Sequence, residues 1–87
     1  MTVYVDQPIY ARSASKKPRK LYSHMVADTF DELHAFAAKI GVKKHFFHRA
    51  KTAHHYDINS DQFKIAVDNG AKVVDSREIV RIGKLQS

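Results

Sequence analysis

The 87-residue chain has no cysteine, only three glycines and two prolines, and no apolar run of membrane length. Without cysteine there can be no disulfide, no cysteine nucleophile and no cysteine-ligated zinc finger, and the composition fits a reducing compartment. The glycines, Gly41, Gly70 and Gly83, fall in none of the patterns G-x-G-x-x-G, G-x-x-x-x-G-K-[ST] or G-x-S-x-G. A glycine-rich phosphate cradle and a serine nucleophile elbow therefore lack support. No stretch approaches the roughly 18 apolar residues of a membrane span. The start, Met1-Thr2-Val3-Tyr4-Val5-Asp6, lacks the basic and apolar regions of a signal peptide. A cytoplasmic location without membrane association is expected.

Acid is missing from two stretches. Residues 7–27 contain Arg12, Lys16, Lys17, Arg19 and Lys20, and residues 33–56 contain Lys39, Lys43, Lys44, Arg49 and Lys51, with no Asp or Glu in either. The second stretch also holds five of the six histidines. The formal charge of +6 favours polyanionic partners, nucleotides or nucleic acid, over a neutral ligand. A solvated basic face is the plain alternative.

The length makes one domain, residues 1–87. A domain of this size buries only about 60% of its unfolded surface. A homo-oligomer interface or a bound metal or ligand would add stability, and a pocket built between subunits makes a homo-oligomer the expectation. Thr2 to Val5 alternates like a strand and Asp6-Gln7-Pro8 ends it. Residues 10–20 are polar, basic and aperiodic, which reads as a mobile loop. A second strand spans Leu21 to Ala27. Thr29-Phe30-Asp31-Glu32 has the form of a capping box. Phe30, Leu33, Phe36, Ala37 and Ile40 then share a helical stripe that ends at Gly41. Phe46-Phe47 is a short buried candidate. His55 to Ile58 reads as a strand, followed by a helix from Asn59 with Gln62 as box partner and Ile58 and Phe63 as a staple. A strand at Lys72 to Val74 and a final helix capped by Ser76 complete the chain. This order predicts an α/β domain: a small, mainly parallel sheet with two to three covering helices.

Asp6, Asp28, Asp57 and Asp75 each sit at the end of a predicted strand. Ligands of open α/β sheets bind beyond the carboxyl ends of the strands, where carboxylates would hold a divalent cation or act as acid and base. Asp28 and Asp75 directly precede capped helices and are read as turn or capping residues where a strand meets a helix; Asp6 and Asp57 have no such explanation. No His pair has a recognised zinc spacing. His24 and His55 each lie close to a strand-end aspartate, whereas His34 on the first helix reads as a satisfied interior group. His54 and His55 point to opposite sides if they lie in a strand. Basic residues interleave with aromatics in Tyr10 to Tyr22 and Lys43 to Tyr56, a mixture suited to stacking bases and meeting phosphates.

Tyr4-Val5-Asp6, His24-Met25-Val26-Ala27-Asp28, Glu32-Leu33-His34, Ile40-Gly41-Val42, His55-Tyr56-Asp57-Ile58 and Gly70-Ala71 together resemble a family of small phage and bacterial proteins, domain-of-unknown-function family 4031. The resemblance runs from Thr2 to about Val74. The family has a tryptophan near Phe46 followed by a polar pair, where this chain has Phe46-Phe47-His48, and the Tyr10 to Lys20 loop is longer and more basic here. The resemblance implies that Asp6, His24, Asp28, Glu32, His34, His55, Tyr56 and Asp57 are the polar positions of the pattern. Its phage members imply nucleic-acid metabolism or the countering of host defence.

Two functions are consistent with these features. The first is a binding module for a phosphate-bearing ligand, a nucleotide or nucleic acid, that sequesters a nucleotide signal without catalysis. His24, His34, His55 and Tyr56 would form its pocket, and Arg12 and Lys44 would supply attraction. The second is a metal-dependent phosphoester hydrolase in which Asp6, His24, His55 and Asp57 are ligands or acid and base.

Overall fold

The computed structural model describes residues 2–7, 9–10, 21–49 and 54–86. In chain order they form β1 (Val3–Val5), β2 (Ile9–Tyr10), β3 (Leu21–Ala27), α1 (Phe30–Lys39), a 3-10 turn (Lys44–Phe46), β4 (Phe47–His48), β5 (His55–Asn59), α2 (Ser60–Asp68), β6 (Lys72–Val73) and α3 (Ser76–Leu85). Tyr10 belongs to β2; the rest of the expected mobile loop, residues 11–20, lies outside the described residues. No described helix is long and apolar enough to cross a membrane.

The strand order is β4-β5-β3-β1-β6, with β2 also pairing with β3. The sheet is mixed and mostly antiparallel, which corrects the expectation of a mainly parallel one. Among the described strands only β1 and β6 pair in parallel; β1–β3, β2–β3, β3–β5 and β4–β5 are antiparallel. Two things produce this. β2 and β3, consecutive among the described elements, pair directly and run in opposite senses. The helical connections β3–α1–β4 and β5–α2–β6 do link strands of like direction, but other strands are inserted between them. β5 lies between β3 and β4, and β3 and β1 lie between β5 and β6. Parallel crossovers thus seldom become parallel neighbours.

β1 and β2 form one interrupted strand along β3. Val5 pairs with Met25 and Ile9 with Tyr22, so four residue steps face three. The extra residue is a β-bulge between Val5 and Ile9, and Asp6 stands at its start.

Alternation along β3 divides the core in two. Met25 and Ala27 point to one face with Val3, Val5, Tyr56 and Ile58, where Leu33 and Ala37 of α1 and Ala66 of α2 cover them. Val26 points to the other face, under Ile79 and Ile82 of α3, with Tyr4 and Val74 packed alongside. α3 is tied down at its end by Gln86, whose side chain accepts from the Ala27 amide at 3.3 Å and donates to the His54 carbonyl. It bridges β3 and β5 just beyond their last paired residues.

The helices begin where the local chemistry directs. Thr29 accepts from the Glu32 amide at 3.2 Å, and Asn59 and Gln62 form a complete capping box. Gly41 and Gly70 end the first two helices at φ +82° and +102°, a conformation costly for other residues. α3 is capped by Asp75, which accepts from the Glu78 amide at 2.9 Å, rather than by Ser76. Phe46 is exposed, in contrast to its expected burial, and Phe47 alone of that pair packs on the core.

Leu33 is fully buried and Ile65 largely exposed. Leu33→Ala should therefore destabilise the domain by about 2–5 kcal/mol in urea denaturation, and Ile65→Ala by no more than about 0.5 kcal/mol.

Candidate functional site

His24 pairs across β3 and β5 with Asp57, and His48 pairs across β4 and β5 with His55. His55 and Asp57 are two residues apart on β5 and so share a face. These registers place four side chains across three adjacent strands, His24 on β3, Asp57 and His55 on β5 and His48 on β4, on the face that α3 covers only in part. Directly opposed side chains in antiparallel strands lie about 5 Å apart at Cβ, which brings their polar ends into contact. Asp57 Oδ1 is 3.2 Å from His55 Nε2 and 3.9 Å from His24 Nε2, while Asp57 Oδ2 is 2.9 Å from His48 Nε2. The His24 and His55 rings meet edge to face at 4.9 Å, and those of His48 and His55 stack at 5.6 Å. His48 is the most exposed of the four and His55 the least.

Asp6 holds this group from behind. Its carboxylate is buried and accepts from the His24 backbone amide (2.7 Å), His24 Nδ1 (2.8 Å) and the Ser76 hydroxyl (3.4 Å), while its own amide donates to the His24 carbonyl (3.2 Å). At the bulge a side chain thus takes over one bond of the ladder. A carboxylate can only accept, so His24 Nδ1 must carry the proton of this bond. The neutral ring then turns its Nε2 lone pair toward Asp57. A carboxylate that orients a histidine through one nitrogen and leaves the other for a metal is the usual support of metal-ligating imidazoles.

The electrostatics follow from this crowding. The hydrogen bond that His24 Nδ1 donates to Asp6 raises the His24 pKa above 6.5, against burial and the neighbouring His55, with the charges of Asp6 and Asp57 adding to the rise. Burial pushes the Asp57 carboxyl up, but the hydrogen bond from His55 and the charges of His55, His48 and His24 outweigh it and leave the group below its ordinary value. Each imidazole nitrogen in contact with this carboxylate needs a hydrogen or a cation between them, supplied by a neutral Nε2–H tautomer, an imidazolium or a metal ion. One ligand atom each from His24, His55 and Asp57 lie within 4.8 Å of one another, a set able to hold a metal ion.

The structure does not bring the whole expected pocket together. His34 and Tyr56 lie on the opposite face of the sheet from His24 and His55, with His34 Nδ1 and the Tyr56 hydroxyl hydrogen-bonded at 2.7 Å. Burial lowers the His34 pKa, helped by the nearby Lys44 and Arg49; burial raises that of Tyr56. Lys44, in the 3-10 turn, therefore accompanies His34 rather than His24. Arg12 lies outside the described residues. Of the strand-end aspartates, Asp28 is at the far end of β3, where it accepts from the Thr2 amide and the Tyr4 hydroxyl. Asp57 is within β5 and not at its end, since the strand runs on to Asn59. His48 was not among the sequence candidates. Its signal, a histidine directly after an aromatic in a two-residue strand, is too short for periodicity to reveal.

The raised His24 pKa has a definite consequence for stability without metal. A group whose pKa is higher in the folded state stabilises it fully below the unfolded value, here 6.5, and loses that contribution as pH rises through the folded value. In chelator-treated protein, the urea midpoint should fall from pH 6 to pH 9. Asp6→Asn should flatten this dependence; an equal fall in the variant would refute the assignment.

Neither a curated protein nor a solved structure matches the chain. The family described as protein of unknown function (DUF4031) matches residues 3–86. That span includes β1 through α3 and every residue of the imidazole–carboxylate group, and the chain belongs to this family.

Proposed function

We propose that this protein is a metal-dependent hydrolase of phosphoester bonds. His24 Nε2, His55 Nε2 and Asp57 Oδ1 would hold one divalent ion and Asp6 would orient His24. The observation that carries this reading is the convergence of one ligand atom from each of these three residues within 4.8 Å while Asp6 occupies Nδ1 of His24. The geometry favours this over a single pocket made of His24, His34, His55 and Tyr56, because the sheet separates the first and third from the other two.

Two nitrogens and one carboxylate oxygen suit zinc or another first-row divalent ion. Three protein ligands leave a tetrahedral ion one open position, the arrangement of catalytic rather than structural sites. The chemistry supplied by such an ion is a bound water acidified to a pKa of about 7 and charge to stabilise the phosphoryl oxygens. His48, exposed and on the second oxygen of Asp57, would give a proton to the leaving oxygen as the P–O ester bond breaks. The net charge of +6 draws phosphate esters, nucleotides or nucleic acid among them, toward the domain.

Purified protein should bind one equivalent of zinc or manganese by elemental analysis and calorimetry. Asp57→Ala and His55→Ala should abolish this binding, and Asp6→Asn should weaken it about 10- to 100-fold. The metal-loaded protein should hydrolyse an aryl phosphodiester, and His48→Ala should slow turnover while retaining metal. Absence of stoichiometric metal would overturn the proposal. Bound metal with a nucleotide returned unchanged would leave a metal-dependent binding module in place of the enzyme.

A further inference from the structure

On the side of the sheet away from the imidazole–carboxylate group there is a cavity of 390 Å³, lined by Phe30, Asp31, His34, Phe47, Arg49 and His54. Its volume is at the lower end of the roughly 300–1,000 Å³ of small-molecule sites, room for one nucleotide-sized molecule. The sheet stands between it and His24, so it is not part of the metal centre.

Among the described lining residues, two phenylalanines and two imidazoles supply rings and Asp31 and Arg49 the charged groups. Phe30 lies 5.6 Å from His54 and 6.4 Å from Phe47, and Phe47 lies 4.8 Å from His34, all as ring centroids. The rings are supported from below. His34 is hydrogen-bonded to the buried Tyr56, and Phe47 packs on the same tyrosine at 5.2 Å. Such rings present π-faces and edges suited to a flat heterocycle. Arg49 is exposed at the cavity and offers a planar fork of donors for phosphate. Lys44 is close enough to act on His34 and adds to the same positive field. Among the described lining residues Asp31 is the one acidic side chain, and an ionised carboxylate only accepts. A ligand here must combine a planar ring, an anionic group for Arg49 and an N–H edge for Asp31.

We infer that this cavity is a second, non-catalytic site for a nucleoside monophosphate, with the base among Phe30, Phe47 and His54, the phosphate on Arg49 and the base edge on Asp31. Guanine offers two adjacent N–H donors to a carboxylate, where adenine and cytosine offer only an amino group and uracil a single ring N–H. The site prefers a guanine nucleotide for that reason. The same chemistry is found free in solution and at the end of a single strand. This inference rests on the cavity alone and does not need the metal centre.

Calorimetry of the intact protein with GMP, UMP, guanosine and a short single-stranded oligonucleotide tests it. GMP should bind more tightly than UMP. Arg49→Gln should weaken GMP about tenfold and leave guanosine unchanged, and Asp31→Asn should remove the preference for GMP over UMP. Both substitutions are at exposed positions, and unchanged thermal melts would show that the variants fold. Tighter binding of the oligonucleotide would identify a strand end as the source, and tighter GMP a free nucleotide. Asp57→Ala and added chelator should leave GMP binding intact, so failure of the metal centre and failure of this site are separable. The inference is overturned if no mononucleotide binds at millimolar concentration, if Arg49→Gln binds GMP as well as the parent protein, or if chelator abolishes binding.

Discussion

The candidate site depends on one contact, the bond from His24 Nδ1 to the buried Asp6 carboxylate. Asp6 occupies the bulge where β1 gives way to β2, and there it serves two ends. Its carboxylate takes the His24 backbone amide, which the interrupted strand leaves without a ladder partner, and it fixes the ring of the same residue. A buried carboxylate without such partners would be costly; here three donors converge on it. The fold is therefore stabilised by the group that orients the chemistry. Ser76, the first residue of α3, reaches the oxygen that His24 Nδ1 contacts, so the helix that covers part of this face is also tied to the site.

Strand parity divides the molecule's functional chemistry. Residues 54 to 57 alternate across the sheet, so His55 and Asp57 join His24 and His48 on one face, while Tyr56 joins His34 and Phe47 on the other. Two neighbouring residues in sequence thus belong to sites with no shared contents. One is a knot of imidazoles around a carboxylate that requires a cation or protons. The other is a ring-lined hollow with a guanidinium at its edge. A shift of β5 by one residue against β3 would exchange the two sets and ruin the core, since Tyr56 and Ile58 would then face α3 and solvent.

The local elements were legible in the chain. The limits of β3, the Thr29 start of α1 and the Asn59–Gln62 box of α2 follow from residues within a few positions of each other, and the structure has them as read. What escaped was non-local. The direction of neighbouring strands depends on which strands are inserted between crossover partners, and nothing in the order of elements records that β5 slips between β3 and β4. The cap of α3 moved by one residue because Asp75 and Ser76 are both good caps and tertiary position decided between them. At the site, His24, His55, Asp57 and Asp6 could be chosen as residues where a strand meets a carboxylate. The reason given, convergence at strand ends, was not the one that unites them, because His24 and Asp57 are a cross-strand pair in mid-strand. His48 escaped for want of a strand long enough to show alternation, and the split of His34 and Tyr56 from His24 required the register.

Long-range proton–nitrogen NMR of the histidine rings in metal-free protein, at a pH above the raised His24 value, tests the Asp6–His24 contact most directly. The account predicts that neutral His24 carries its proton on Nδ1, bonded to Asp6, with Nε2 bare and displaced in frequency when zinc is added. A proton found on Nε2, or rapid exchange between the two tautomers, would contradict it.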